Sequence, residues 1–330
     1  MTVRDIARLA NVSPATVSNV INNRPGVSAE TRDKIIKIIK DSNYRVKRKP
    51  NISTRNVLFL KYMSHGKAVN DNKGFITALI DGIEKKCHDY EFDLTFMNAY
   101  PDTIEETIRR INDNKPDGVI FLATEYRSGV DNFVKDIKAP TVALDNSMNY
   151  DEIDTVLMNN RRIIHMILNY LTRLGKKRIL YVKSNEQIDN LDERYLYFKD
   201  YILRNGLNLY EPIEVTPTLL GSYNDISEKF NQINWNNYDS IVCDLDAIAL
   251  GLLRVLDERK IKVPKDISVV GIDNIPYSSI SKPFLTTVDI SKKEIGKRVV
   301  SLLHRRILGD KFPHTVVKID GKLIVRNSTR

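Results

Sequence analysis

From Val57 to the C-terminus the chain repeats one pattern, in which short β-branched and apolar runs alternate with amphipathic helical stretches. Val57-Leu58-Phe59-Leu60 leads to a helix ending near Cys87. Leu94-Thr95-Phe96-Met97 leads to one around Ile104 to Ile111, and Val119-Ile120-Phe121-Leu122 to one around Val130 to Ile137. This is the βαβ rhythm of a parallel sheet covered by helices on both faces. It pauses at Thr141-Val142-Ala143-Leu144-Asp145 and resumes after Asn160 with a helix. Ile179-Leu180-Tyr181-Val182, another helix, Ile241-Val242-Cys243 and Ser268-Val269-Val270-Gly271-Ile272-Asp273 follow. The expected body is therefore α/β, with two doubly wound parallel-sheet lobes. Ligands of such sheets bind beyond the carboxyl ends of the strands, so residues just past those ends draw attention first.

Charge is distributed unevenly. The 330 residues carry a net charge of +9, yet residues 1–56 hold 12 Lys and Arg against 4 Asp and Glu, while the rest holds 39 against 38. A basic segment joined to a near-neutral body points to a polyanionic partner, because each cation that neutralises a phosphate releases condensed counterions. The same residues carry helix signals. Thr2-Val3-Arg4-Asp5 has the form of a helix start, and Ile6, Leu9 and Ala10 follow at spacings that share one face. Asn11, a residue that tolerates left-handed backbone, sits where the chain must turn. Ser13-Pro14 restarts a helix with an N-cap and a proline in its first position. Val17, Val20 and Ile21 are expected to face inward. Ser28 caps a third helix ending near Asn43, with Ile35, Ile36, Ile38 and Ile39 as its buried stripe.

Two short helices joined by a tight turn, buttressed by a third, make a helix-turn-helix unit whose second helix enters the DNA major groove. That helix presents Pro14, Ala15, Ser18, Asn19 and Asn22. Pro14 and Ala15 are small enough to meet a thymine methyl, and Asn19 can pair bidentately with adenine. The hydroxyls of Ser13, Thr16 and Ser28 suit phosphate contacts.

The runs Val3-Arg4-Asp5-Ile6-Ala7, Ala10 to Asn22, Val27 to Arg32 and Asn43-Tyr44 strongly resemble the headpiece of the LacI/GalR family of bacterial repressors. The resemblance implies base reading by Pro14, Ala15 and Asn19. It implies backbone positioning by Thr2, Ser13, Thr16, Ser18, Asn22, Ser28, Thr31 and Tyr44. Family members usually continue with a hinge helix whose Leu wedges into the minor groove. Here Tyr44-Arg45-Val46-Lys47-Arg48-Lys49-Pro50-Asn51-Ile52-Ser53 departs from it: Pro50 falls inside that helix and Ser53 stands in place of the Leu. Arg45, Lys47, Arg48 and Lys49 then form either an extended phosphate-contacting arm or a flexible basic linker.

The body is similar to the effector domain of the same family, itself like periplasmic sugar-binding proteins. Asp81-Gly82-Ile83-Glu84, Pro116 to Ile120, Leu174 to Ile179, Val263 to Asn274, Leu285 to Val288 and Val325 to Thr329 carry the likeness. It implies a headpiece at residues 1–46, a basic linker at 47–55 and a body at 56–330. Within the body it implies an N-lobe of about 56–158 and 289–318, a C-lobe of about 159–288 and 319–330, and crossings near Met158, Val288 and Ile319. It also implies an effector site containing Phe75 as an apolar wall, Asp145, Arg194, Asp246 and Asp273 as polar contacts, and Tyr223 as a stacking ring. Carboxylates accept from vicinal hydroxyls and a planar Arg donates two hydrogen bonds, which suits a sugar. Leu245 stands where a polar residue is usual, and a sugar, a phosphorylated sugar or a non-sugar all remain compatible with the sequence.

Five His and two Cys give no metal-ligand spacing and no disulfide framework, so neither metal nor cofactor is expected. No dinucleotide fingerprint, phosphate loop, zinc-protease or nucleophile-elbow motif occurs, which argues against an enzyme. The N-terminus lacks an apolar leader and no run approaches a membrane span, so a cytoplasmic protein is expected. A solute-binding protein of a sugar uptake system is the rival reading, disfavoured by the basic headpiece. The expected protein is a homodimeric regulator, with repression the usual family behaviour, on a pseudo-palindromic double-stranded DNA operator under the control of a small carbohydrate.

Overall fold

A computed structural model describes residues 3–21, 27–41, 54–69, 73–148 and 153–329. The chain forms two compact units, Met1–Ser53 and Thr54–Arg330.

In the first unit, α1 (Val3–Ala10), α2 (Pro14–Ile21) and α3 (Ala29–Asp41) pack around Ile6, Ala7, Ala10, Val17, Val20 and Ile35. The turn after α1 closes as expected. Asn11 takes φ 59°, its N–H donates to Arg8 O at 3.2 Å, and Val12 N–H donates to Ala7 O at 3.0 Å. This is the Schellman pattern that a left-handed residue permits. Two of the expected core residues face outward instead: Leu9 is 61% exposed and Ile36 38%. At 100° per residue, Ile6, Ala10 and Ala7 span one arc and Leu9 falls 60° outside it. Ile36 likewise falls 60° outside the Ile35 and Ile39 arc.

The second unit contains two sheets. The first has strand order β11-β5-β4-β3-β1-β2, from β1 (Arg55–Tyr62), β2 (Phe92–Ala99), β3 (Gly118–Leu122), β4 (Thr141–Leu144), β5 (Asp154–Met158) and β11 (Val316–Ile319), with every pairing parallel. Helices α4 (Lys73–Asp89), α5 (Ile104–Asn114) and α10 (Lys292–Ile307) belong to this lobe. The second sheet has order β12-β10-β9-β8-β6-β7, from β6 (Ile179–Ser184), β7 (Ile213–Val215), β8 (Ser240–Cys243), β9 (Ser268–Asp273), β10 (Thr286–Asp289) and β12 (Lys322–Ile324). It is parallel except where β12 runs antiparallel to β10. Its helices are α6 (Asn160–Arg173), α7 (Asp189–Arg204), α8 (Leu219–Lys229) and α9 (Asp246–Glu258). β3 and β5 are buried along their whole length, as strands covered on both faces must be.

The chain passes between the sheets at three places: β5 to α6, β10 to α10 and β11 to β12. These passages are laced together. Asn159 N–H donates to Ile319 O at 2.8 Å, Asn159 Nδ2 donates to Asp320 Oδ1 at 2.9 Å, and Ser291 Oγ donates to Asp320 O at 3.4 Å. After its passage α10 lies backbone to backbone on α4. A Cβ on Gly82 would come within 2.2 Å of Lys293 O, and one on Gly296 within 2.3 Å of Leu79 O. No other residue lets two helices approach so closely.

The helix expected around Val130 to Ile137 is a 3₁₀ turn, Phe133–Asp136. Gly129 takes φ 84°, and the Asp131 carboxylate accepts from Arg127 N–H at 2.8 Å and Tyr62 OH at 3.3 Å. These contacts hold residues 127–131 in a turn, which removes the first half of the expected helix.

Candidate functional site

In the first unit the face of α2 opens as its sequence implies. Ser13, Pro14 and Ala15 are exposed, and Thr16 and Asn19 half-buried. Ser13 Oγ accepts from Thr16 N–H at 3.1 Å and bonds Thr16 Oγ1 at 2.8 Å. Ser28 Oγ repeats the device, accepting from Thr31 N–H at 3.3 Å and donating to Thr31 Oγ1 at 2.8 Å. Each serine satisfies an orphan donor of a helix N-terminus, where the macrodipole also favours an anion. Thr2, Asn22, Tyr44, Arg45, Lys47 and the atypical linker lie outside the described residues, as does the Ser18 side chain.

In the second unit the carboxyl ends of the strands converge on a cavity of about 30 Å³ between the lobes. Thr124 and Asp145, just past β3 and β4, line it from the first lobe with Ala68, Phe75 and Met158. Ile188, Asn190, Leu191 and Arg194 of the α7 region line it from the second, with Leu245 before α9 and Asp273 ending β9. The two carboxylates are aimed by unusual backbone: Asp145 has φ 66° and Asp273 φ 120°. Left-handed backbone at a strand end costs of order 1–3 kcal/mol and persists where surrounding contacts dictate it.

Asp145 accepts from Thr124 Oγ1 at 2.6 Å within its own lobe and from Asn190 Nδ2 at 2.8 Å across the cleft. Ser128 N–H to Asp189 Oδ2 (3.2 Å) and the Lys67–Glu186 ion pair (2.5 Å) also join the lobes. Arg194, 2% exposed, donates from Nε to Asn160 Oδ1 at 3.0 Å and from Nη1 to Asp244 O at 2.5 Å. Its Nη2 stands 3.9 Å from Asp273 Oδ1. Burial pushes the Asp145 carboxyl up to about 6, against hydrogen bonds from Thr124 and Asn190 and the charge of Arg194. It pushes Asp273 up to about 7, since the Asp246 and Asp145 charges add to burial while Arg194 and Lys292 oppose it. Asp244, behind the lining, is pushed to about 6 by burial despite bonds from Tyr181 OH and Ser184 N–H.

Four of the six residues expected at an effector site, Phe75, Asp145, Arg194 and Asp273, meet at this cavity, and two do not. The Asp246 carboxylate accepts from Thr287 Oγ1 at 2.6 Å, Ser278 Oγ at 2.5 Å and Ile275 N–H at 3.0 Å, so it clamps the β9–β10 region rather than facing the cleft. Tyr223, a full turn into α8, runs along α9, where its OH donates to Glu258 Oε2 at 3.0 Å. Thr124 and Asn190 were missed. The strand-end rule points to Thr124, and the i−4 spacing from Arg194 points to Asn190. Glu125 was missed as well: it is buried and accepts from the N–H groups of His65, Gly66, Ala68 and Val69 at 2.8–3.1 Å, which sets the turn that brings Ala68 to the cavity.

A helix-turn-helix unit together with a two-lobed α/β body that has a cavity between its lobes defines the class of DNA-binding transcriptional regulators. Residues 2–47 match the bacterial regulatory proteins of the lacI family, and residues 168–329 match a periplasmic binding protein-like domain. The HTH-type transcriptional regulator RegA of Clostridium acetobutylicum is 31% identical over 337 residues, covering 99% of both chains. Among solved structures, the transcriptional regulator CelR in complex with cellobiose superposes with a TM-score of 0.71 at 21% identity, covering 99% of each chain. The lac repressor dimer bound to operator and the anti-inducer ONPF gives 0.71 at 20% identity, covering 100% of this chain and 99% of that one. The chain belongs to the LacI family of bacterial regulatory proteins. It is a DNA-binding transcriptional regulator, and its relatives are regulators rather than enzymes. No helix among the described residues is long and apolar enough to cross a membrane.

Proposed function

We propose that the chain is a homodimeric repressor whose affinity for a pseudo-palindromic operator is set by a small carbohydrate bound between the lobes. The observation that carries this reading is the hydrogen bond from Asn190 of one lobe to Asp145 of the other, at the floor of a cavity that also holds Arg194 and Asp273. Ligand pockets occupy about 300–1,000 Å³, so a cavity of about 30 Å³ admits a sugar only if the lobes part. Sugar hydroxyls would then replace Asn190 as donors to Asp145. Ligand occupancy and lobe angle become one equilibrium, and a ligand shifts it by as much as its affinity differs between the two states. Pro14, Ala15 and Asn19 would read bases, while Ser13, Thr16, Ser28 and Thr31, with Thr2, Ser18, Asn22, Tyr44, Arg45 and Lys47, would hold the phosphates.

Selection of operator from random duplex, followed by anisotropy titration with a sugar panel, tests the proposal. Selected sites should show two-fold half-sites, and one carbohydrate should change operator affinity at least about tenfold, a differential of ~1.4 kcal/mol. Asp145→Asn should abolish that change. Absence of any sequence preference over bulk competitor at moderate salt would refute the repressor reading.

A further inference from the structure

We propose that the interlobe cleft selects a polyhydroxylated effector without phosphate or carboxylate, and rejects sugar phosphates and sugar acids. The proposal rests on the reading of this cavity as the effector site and names the class of compound it takes.

Among the described lining residues, Asp145 and Asp273 set two carboxylates against one cation, Arg194. Arg194 is not a spare anion fork. Its Nε is committed to Asn160 Oδ1 and its Nη1 to Asp244 O, both interactions buried, and Nη2 stands nearest the Asp273 carboxylate. Behind the lining, the same ends of the second sheet bury two further carboxylates, Asp244 and Asp246, and the one lysine beside them, Lys292, is held by Asp273 O and by the Asp289 carboxylate at 3.4 Å. An anion entering here would meet carboxylates that are ionised wholly or in part at neutral pH, and an Arg194 whose remaining edge already faces Asp273 at 3.9 Å, so like charge in a desolvated site opposes it.

Helix N-termini offer the other common route to anion binding. Here those of α7 and α9 are already answered. Helix α7 begins at Asp189 and carries Asp192 in the same turn, and α9 begins at Asp246. Helix α4 has no acidic residue in its first turn, and what it sends to the cavity wall is the Phe75 ring.

What the cleft does offer is acceptors and hydrocarbon. Asp145 already accepts from a hydroxyl and an amide, the groups a polyol reproduces. Phe75, Met158, Ile188, Leu191 and Leu245 supply apolar surface for the C–H face of a ring.

The test is calorimetric titration and thermal shift of the full chain with matched pairs: glucose and glucose 6-phosphate, galactose and galacturonate, cellobiose and cellobionate, with inorganic phosphate as a separate probe. The neutral member of a binding pair should bind at least about 100-fold more tightly than its anionic partner. In Asp273→Asn that ratio should narrow by at least about tenfold. An anionic member that binds as tightly as its neutral partner, or a melting rise with inorganic phosphate that Arg194→Met removes, overturns the proposal. If no compound of either kind binds and none moves operator affinity, the effector-controlled reading falls, and this inference with it.

Discussion

Asp273→Asn isolates the electrostatic character of the cleft. The carboxyl is buried and its pKa rises from an ordinary 3.8 to about 7. A folded-state value above the unfolded one means the folded chain holds its proton longer, so the penalty is absent below about pH 4. It grows as pH rises between about 4 and 7 and is complete above that. At about 1.4 kcal/mol per pH unit, the shift corresponds to a penalty of about 4 kcal/mol at pH 8, as an upper bound. Asn removes the penalty, keeps the shape and tolerates the φ of 120° better than most residues; the attraction of Arg194 at 3.9 Å is already contained in the pKa of about 7. Half of that bound, about 2 kcal/mol, is about 4–8 °C in melting temperature for a body of this size. Scanning calorimetry of wild type and variant from pH 4.5 to 8.5 should show little difference at the acid end and a gap that opens to its full width by pH 8. Parallel curves, or a variant no more stable at pH 8, would refute the account. Asp145 and Asp244, each near 6, keep some of the slope in the variant.

Gly296→Ala should force α10 off α4, because its Cβ would lie 2.3 Å from Leu79 O; a loss of about 3 kcal/mol or more is expected, read as a fall in melting temperature or soluble yield. Arg306→Met should strand the Asp154 carboxylate, 1% exposed and otherwise clamped by that guanidinium, at a cost of about 3–5 kcal/mol by denaturant unfolding. Asn19→Ala should lose about 1–3 kcal/mol of discrimination at one base pair in mobility-shift titrations and leave effector affinity unchanged; equal losses on all sequences would make Asn19 a phosphate contact.

Much of this molecule is written in local pattern. Ser13-Pro14 and Ser28 cap helices where the sequence places them, and Asn11 turns left-handed because few other side chains could. The long strands β1, β3, β6 and β9 announce themselves as apolar runs. The failures share a cause, which is that burial is decided by partners the local pattern does not contain. Leu9 and Ile36 have helical spacing but fall outside the arc that α2 and α3 cover. β7 and β12 are three residues long and gain their identity from a neighbour already in place. In the cleft, Asp145 and Asp273 were legible as strand ends. Asp246 was not separable from them, since only the positions of Ser278 and Thr287 show that its oxygens are taken. Tyr223 failed for a similar reason: the phase of α8, not the presence of an aromatic ring, decides what it touches.

The threefold passage of the chain between the sheets limits how one lobe can move against the other. A single strap would allow swivelling, whereas three straps fastened side by side through Asn159, Ser291, Ile319 and Asp320 resist torsion and sliding. What is left is flexure about a single line, like a lid on a piano hinge. A compound wedged into the mouth can therefore alter how wide the two halves gape, but it has little means of steering them in a new direction.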